Sequence, residues 1–291
     1  MKNSLMMLGI VLAMLPFRNQ AAPYAIATRE IHLNGYNLFV DSFNSSDLLR
    51  STAGQYDPLK AGGDQSVVGS ETGVSNSINV GTVIVWGRLQ TGLPFSLEFG
   101  PQSSIGSAAW HQASQTGFEP GFHETNFTYI FPDAYPPFAS DLPASGAYNG
   151  IFYNYILNDG NYTLPSLTMS GGQKMLVAGS AALDVRGNAN LSGNSQILIL
   201  PSANFRLSVR GTANFRGGGI INQGAPRNFT YFGIGGGSDV NFRVTTPLVG
   251  GIYAPTAVCT ITGGGNAVAD LQGAFVARSM VLGGDVSFHF D

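Results

Sequence analysis

Apolar and polar residues alternate in short runs along most of the chain, and Gly or Asn breaks each run. Leu183 and Val185 face one way and Asp184 between them the other, the period of two of a strand with one buried side. The pattern recurs at a nearly fixed interval. LDVRGNANLSGNSQI (183–197) aligns without gaps on LSVRGTANFRGGGII (207–221) at an offset of 24. MSGGQKMLV (169–177) aligns on LSGNSQILI (191–199) at 22, and GIYAPTAV (251–258) on AFVARSMV (274–281) at 23. Runs of about five residues between turns give three strands per repeat, and Gly and Asn permit the left-handed backbone of sharp corners. The expected fold is therefore all-β, a single-stranded parallel β-helix (β-solenoid) with 22–24-residue coils, each stabilised by its neighbours. Stacking at these offsets places Leu191 inward, Asp184 on the solvent side, and Asn190 above Asn214 as an amide ladder.

The same reading divides the chain. Residues 1–27 read as a secretory signal peptide: Lys2, the apolar run LMMLGIVLAMLPF (5–17), too short to span a bilayer, then small residues. Cleavage is expected after Ala22 or after Ala27. Residues 28–106 carry N-terminal coils interrupted by a polar loop over 44–75. Residues 107–160 form an irregular insertion or cap rich in Pro and aromatics, with one short helix at AAWHQAS (108–114) and a strand near IFYNYIL (151–157). FPDAYPPFASDLPASG (131–146) cannot sustain central strands. Residues 161–291 form the C-terminal coils. The chain stops at VSFHFD, an alternating strand read as an open edge.

Composition narrows the functional classes. With 39 Gly in 291 residues, and charged residues at 11% against a usual quarter, long surface helices are excluded. Lys occurs only at 2, 60 and 174 and the net charge is -3, so no basic face exists for nucleic acid. The single Cys259 excludes an internal disulfide framework and, within the alternation AVCTI, reads as a small core hydrophobe. No run after the leader approaches a membrane span.

LNGYNLFVDSFNSSD, QKMLVAGSAALDVRGNANLSG, GGIYAPTAVCTITGGG and GAFVARSMVLGGDVSFHFD together resemble a family of uncharacterised exported bacterial β-helix proteins. Related domains stand at the C-terminal ends of pilus-assembly-like proteins. The resemblance implies a β-helical fold and a surface or pilus-linked location; it implies no activity.

Candidate chemistry is sparse. In DSFNSSD, Asp41, Asn44 and Asp47 offer oxygens to a Ca²⁺ ion, though an Asp/Asn-capped turn is the preferred reading of the segment. Trp110, Phe118, Tyr129 and Tyr135 are candidate sugar-stacking platforms. Arg186 and Arg210, which share a repeat position, are candidate contacts to an acidic glycan. No Glu follows Glu124, and the remaining Asp residues are scattered, so a β-helix lyase or hydrolase would need Asp239, Asp270 and Arg243 to meet in space. No G-x-S-x-G elbow and no paired His motif appears, and no cofactor is expected. The leading expectation is an exported, non-enzymatic structural or interaction module at the bacterial envelope. A polysaccharide-binding adhesin-like module comes next, and a polysaccharide lyase or hydrolase third. The expected partners are an envelope protein, a polysaccharide, or a second copy joined through open β-helix ends.

Overall fold

The computed structural model describes residues 24–291, apart from 35–36, 61, 77–80, 99, 237–238 and 264–267. The leader expected over residues 1–27 falls mostly outside the described residues. The protein is a parallel β-solenoid. Strands make up 55% of it and helix 3%. The strands stack in parallel, and among the described residues the one antiparallel pair of full strands is the hairpin of Ala144–Tyr148 and Ile151–Leu157.

Each coil has three faces, as in Ser180–Val185, Ala189–Leu191 and Gln196–Ile199. The repeat offsets are the stacking registers: Leu183 lies on Leu207, Ala189 on Ala213, and Lys174 on Gln196. Two alignments slip. Ile197 lies on Ile220 rather than Ile221, because the corner at 217–219 is one residue shorter. Past Ala254, which lies on Ala277, an irregularity around Pro255 brings Val258 onto Ser279 instead of Val281. Proline has no N–H for the ladder, so the chain bulges there.

The order of coils in space is not their order in sequence. The C-terminal strands are not an open edge. Phe275–Gly283 stacks on Gly251–Gly263 on one side and on Tyr24–Leu33 on the other. Val286–Phe290 is likewise held between Ala269–Gln272 and Leu38–Ser42. The coils thus run from residue 160 to 291 and continue without a break into 24–124. One inward column shows the continuity: Leu183, Leu207, Tyr231, Ile252, Phe275, Ile26 and Val68 lie one above another. All are fully or almost fully buried. Apolar burial makes this junction as strong as any other step, since the stabilisation depends on area removed from water and not on chain order. The two open ends are elsewhere. At one, Leu167–Met169 pairs only with Ala189–Leu191 among the described residues. At the other lie Ser96–Leu97, Gly117–Phe118 and His123–Glu124.

Residues 107–160 are three pieces. The helix Ala108–Gln112 forms as expected, capped by the Ser107 hydroxyl, and sits beside the end strands. Ile151–Leu157 is part of the hairpin that covers the third face at the opposite end. Between them, residues 125–143 form a strap along the outside of the first face, which is ten strands deep and roughly 45 Å long at about 4.8 Å per strand. Its anchors follow one another along the rod. The Phe127 amide donates to the Thr91 carbonyl at 2.9 Å, Tyr129 Oη to the Pro255 carbonyl at 2.7 Å, Tyr253 Oη to the Pro132 carbonyl at 2.5 Å, and the Thr163 amide to the Asp141 carbonyl at 2.8 Å. Pro132, Pro136, Pro137 and Pro143 suit a segment that needs few N–H donors. The Phe127 ring meets Tyr24 edge-on at 5.3 Å and fills the space over Gly69, where a Cβ would lie 2.5 Å from it.

Two further expectations are corrected. The polar loop ends at 65, since Ser66–Ser70 and Gly73–Asn76 are stacked strands whose small side chains hid the alternation. Asp184 is not a surface acid. It is 3% exposed and accepts from Arg210 Nε and Nη2 at 3.2 and 2.8 Å. Leu191 is inward, 1% exposed, and the Asn ladder exists: Asn214 Nδ2 donates to Asn190 Oδ1 and Asn241 Nδ2 to Asn214 Oδ1, each at 3.0 Å. Cys259 is fully buried, which pushes its thiol pKa up to about 12.

Tyr231 packs edge-on against Phe215 at 5.8 Å, yet its hydroxyl is buried with no hydrogen-bond partner among the described residues. A buried, unpartnered hydroxyl costs about 1–3 kcal/mol. Tyr231→Phe should therefore raise the stability measured by urea unfolding by about 1 kcal/mol. A loss of stability would show that the hydroxyl has a partner.

Candidate functional site

The densest cluster of titratable side chains lies where the two ends of the chain stack. The register of Leu38–Ser42 on Val286–Phe290 sets Asp41 directly against His289. His289 Nδ1 lies 2.5 Å from Asp41 Oδ1, and its Nε2 lies 3.7 Å from Asp270 Oδ1 on the next strand over. Residues 43–65 fold over the pair. Tyr56 stacks on the imidazole with centroids 3.5 Å apart and donates its hydroxyl to Asp41 Oδ2 at 2.9 Å. The loop is tied down on both sides. The Tyr56 amide donates to Gln272 Oε1, Gln55 Nε2 to the carbonyls of Asn222 and Gly224, and Arg227 Nη1 to Ser46 Oγ.

Burial dominates the electrostatics. It pushes the Tyr56 phenol well above its ordinary value, with the Asp41 charge adding to the effect. It also raises Asp270, against the pull of His289. One imidazole lies between two carboxylates. Its face is covered by Tyr56 and it is 5% exposed, so the cluster works as a polar latch between the first and last coils. The individual positions were visible as Asp41, Asp270 and His289, but a separation of 248 residues hid their meeting.

The proposed Ca²⁺ ligands are otherwise engaged. Asp41 is committed to His289 and Tyr56, while Asn44 Oδ1 accepts from the Ser46 amide and Asp47 Oδ1 from the Leu49 amide. These are Asx turns. Among the described residues no three His, Cys, Asp or Glu side chains form a metal-binding group.

The proposed sugar platforms do not form one surface. Trp110 and Phe118 sit at the 104–124 end of the rod. Tyr129 is spent on the strap, its hydroxyl on Pro255, and Tyr135 on the same strap is 82% exposed. Arg210 is held by Asp184, and Arg186 is exposed. Nor do the acids of a lyase meet: Asp239 Oδ1 accepts from the Val258 amide, and Asp270 faces His289. A Ser104–His111 contact of 3.2 Å is not a nucleophile pair either. The Ser104 hydroxyl donates to the Gln115 carbonyl, and His111 Nε2 bonds the Val85 carbonyl.

A second feature lies on the outer surface. A groove of about 460 Å³ is lined by Arg216, Asn241, Phe242, Arg243, Thr260 and Thr262 with Gly263. Phe215 stacks on Phe242, so the two arginines that follow them stand one coil apart in one column. Sequence reading missed this pair because the offset there is 27 rather than 22–24.

No curated protein and no solved structure matches the chain. Residues 150–291, about half of the chain, match the model of a family described as Domain of unknown function (DUF7305).

Proposed function

We propose that the chain is an exported, non-enzymatic structural module of the bacterial envelope that assembles end to end with copies of itself. The observation that carries this reading is the apolar surface at one end of the rod. Phe138 and Leu142 on the strap, and Ile151 and Phe152 on the hairpin, are all exposed, Phe138 at 88% and Phe152 at 62%. The open strand Leu167–Met169 belongs to the same end. Exposed apolar side chains beside an unpaired strand favour a protein partner, and a second copy offers the same features.

Export with cleavage after Ala22 agrees with the packing. Tyr24–Leu33 is a central strand and Ala25, Ile26 and Ala27 are fully buried, so cleavage after Ala27 would remove the first four of its 10 residues. The test is expression with the native leader, followed by N-terminal sequencing and light scattering of the recovered protein. The expected result is an N-terminus at Pro23 and a mass that rises with concentration, reduced to the monomer by Phe138→Ser with Phe152→Ser. A protein retained in the cytoplasm, or a monomer at high micromolar concentration, overturns the reading.

A second reading, a polysaccharide-binding adhesin-like module, draws on the Arg216–Arg243 groove.

A further inference from the structure

We propose that the Arg216–Arg243 groove is a binding site for a linear polysaccharide carrying carboxylates, a polyuronate. The inference deepens the polysaccharide-binding reading and is independent of end-to-end assembly.

Three observations carry it. The first is unspent charge. Arg29 holds Glu71, Arg88 holds Glu124 and Arg210 holds Asp184, each at 2.8–3.1 Å. Neither Arg216 nor Arg243 has a carboxylate partner among the described residues, and no acid lines the groove. Two like charges that follow stacked residues on neighbouring strands repel unless an anion lies between or across them. The second is the company they keep. The Asn ladder runs in one direction, each Nδ2 donating to the preceding Oδ1, so Asn241 Oδ1 is its terminal acceptor. Asn241 stacks on Thr260 and Arg243 on Thr262. The groove thus sets an acceptor and a hydroxyl beside two forked cations, which is the mixture a sugar acid presents in reverse. The third is spacing. The arginines follow the coil repeat along the rod axis, so a linear polymer lying along that axis meets them with successive units. Guanidinium pairs with planar carboxylates through two parallel hydrogen bonds.

Isothermal titration with a polygalacturonate oligomer tests the site, using its carboxyl-reduced counterpart and a single-stranded oligonucleotide as comparisons. The uronate oligomer should bind and the reduced one should not. Arg216→Gln and Arg243→Gln should each weaken binding about tenfold and together about a hundredfold, since charge-assisted pairs dominate. Arg278→Gln, outside the groove, should leave it unchanged, and all four variants should melt no lower than the parent. Absent uronate binding, equal binding by the double variant, or tighter binding of the oligonucleotide overturns the proposal. A groove that fails in a protein that still assembles end to end overturns this inference alone, and the reverse result overturns only the assembly reading.

Discussion

A chain of residues 125–291, lacking the N-terminal coils, should aggregate rather than fold to a soluble module. These residues contain the family match and most of the visible repeats, so sequence alone nominates them as the autonomous domain. The structure says otherwise. Removing residues 24–124 strips the partner strands from Phe275–Gly283 and Val286–Phe290. It uncovers Phe275 and Phe288, both fully buried. Two unpaired parallel strands with an apolar inner face form a template for intermolecular pairing. A circular permutant is the informative partner experiment. Asp291 joined by a few residues to Tyr24, with new ends between Ala134 and Tyr135, keeps every stacked coil. The new corner is no harder than 200–203, which takes the chain from Gln196–Ile199 to Asn204–Val209. The permutant should give a β-rich circular dichroism spectrum and cooperative melting. A soluble, cooperatively folded 125–291 fragment would show that the N-terminal coils are an accessory.

Asp41→Ala should cost about 1–3 kcal/mol in chemical denaturation, the usual consequence of leaving buried hydrogen-bonding groups without their partner. The substitution leaves His289 and the Tyr56 hydroxyl without their acceptor. It also loosens the loop that ties the first coil to Asn222 and Gln272. Asp270→Asn should act in the opposite direction at neutral pH. Burial raises the Asp270 pKa above its ordinary value, so its neutral form is favoured in the folded state. Stability from this group is fully present at pH below the unfolded carboxyl value and is lost as pH rises through the raised folded one. Asn mimics the protonated form. The variant should therefore melt higher than the parent at pH 7, and the gain should vanish as the pH falls toward 4. A gain that persists at low pH would remove the titration of Asp270 as its cause.

The repeat was legible because stacking writes itself into sequence at short range. Leu183 on Leu207 and Asn190 on Asn214 need a constant offset, and the offset can be read. The closure of the rod was not legible. Ile26 on Phe275 obeys the same inward rule, but any alternating strand satisfies that rule and none names its partner. VSFHFD therefore read as an edge although it is interior. Asp184 misled for a related reason: period two gives the face a side chain points to, and not whether Arg210 will cover it. At the site, the arginine pair was hidden by the long connection between Phe229–Gly233 and Val240–Val244, which raises the offset from 24 to 27.

The strap and the junction of termini also set a schedule. Tyr24–Leu33 is the first described strand to be synthesised, yet one of its two flanking partners, Phe275–Gly283, is almost the last. Contacts across so much of the chain carry a large loop-closure cost before they yield any stabilisation, which slows folding. Both sets of coils can stack internally as they form, but the side of Tyr24–Leu33 and Leu38–Ser42 that meets the C-terminal strands must wait unpaired. That exposed strand edge persists until synthesis is nearly complete, and through it a partner such as a chaperone can still capture the chain.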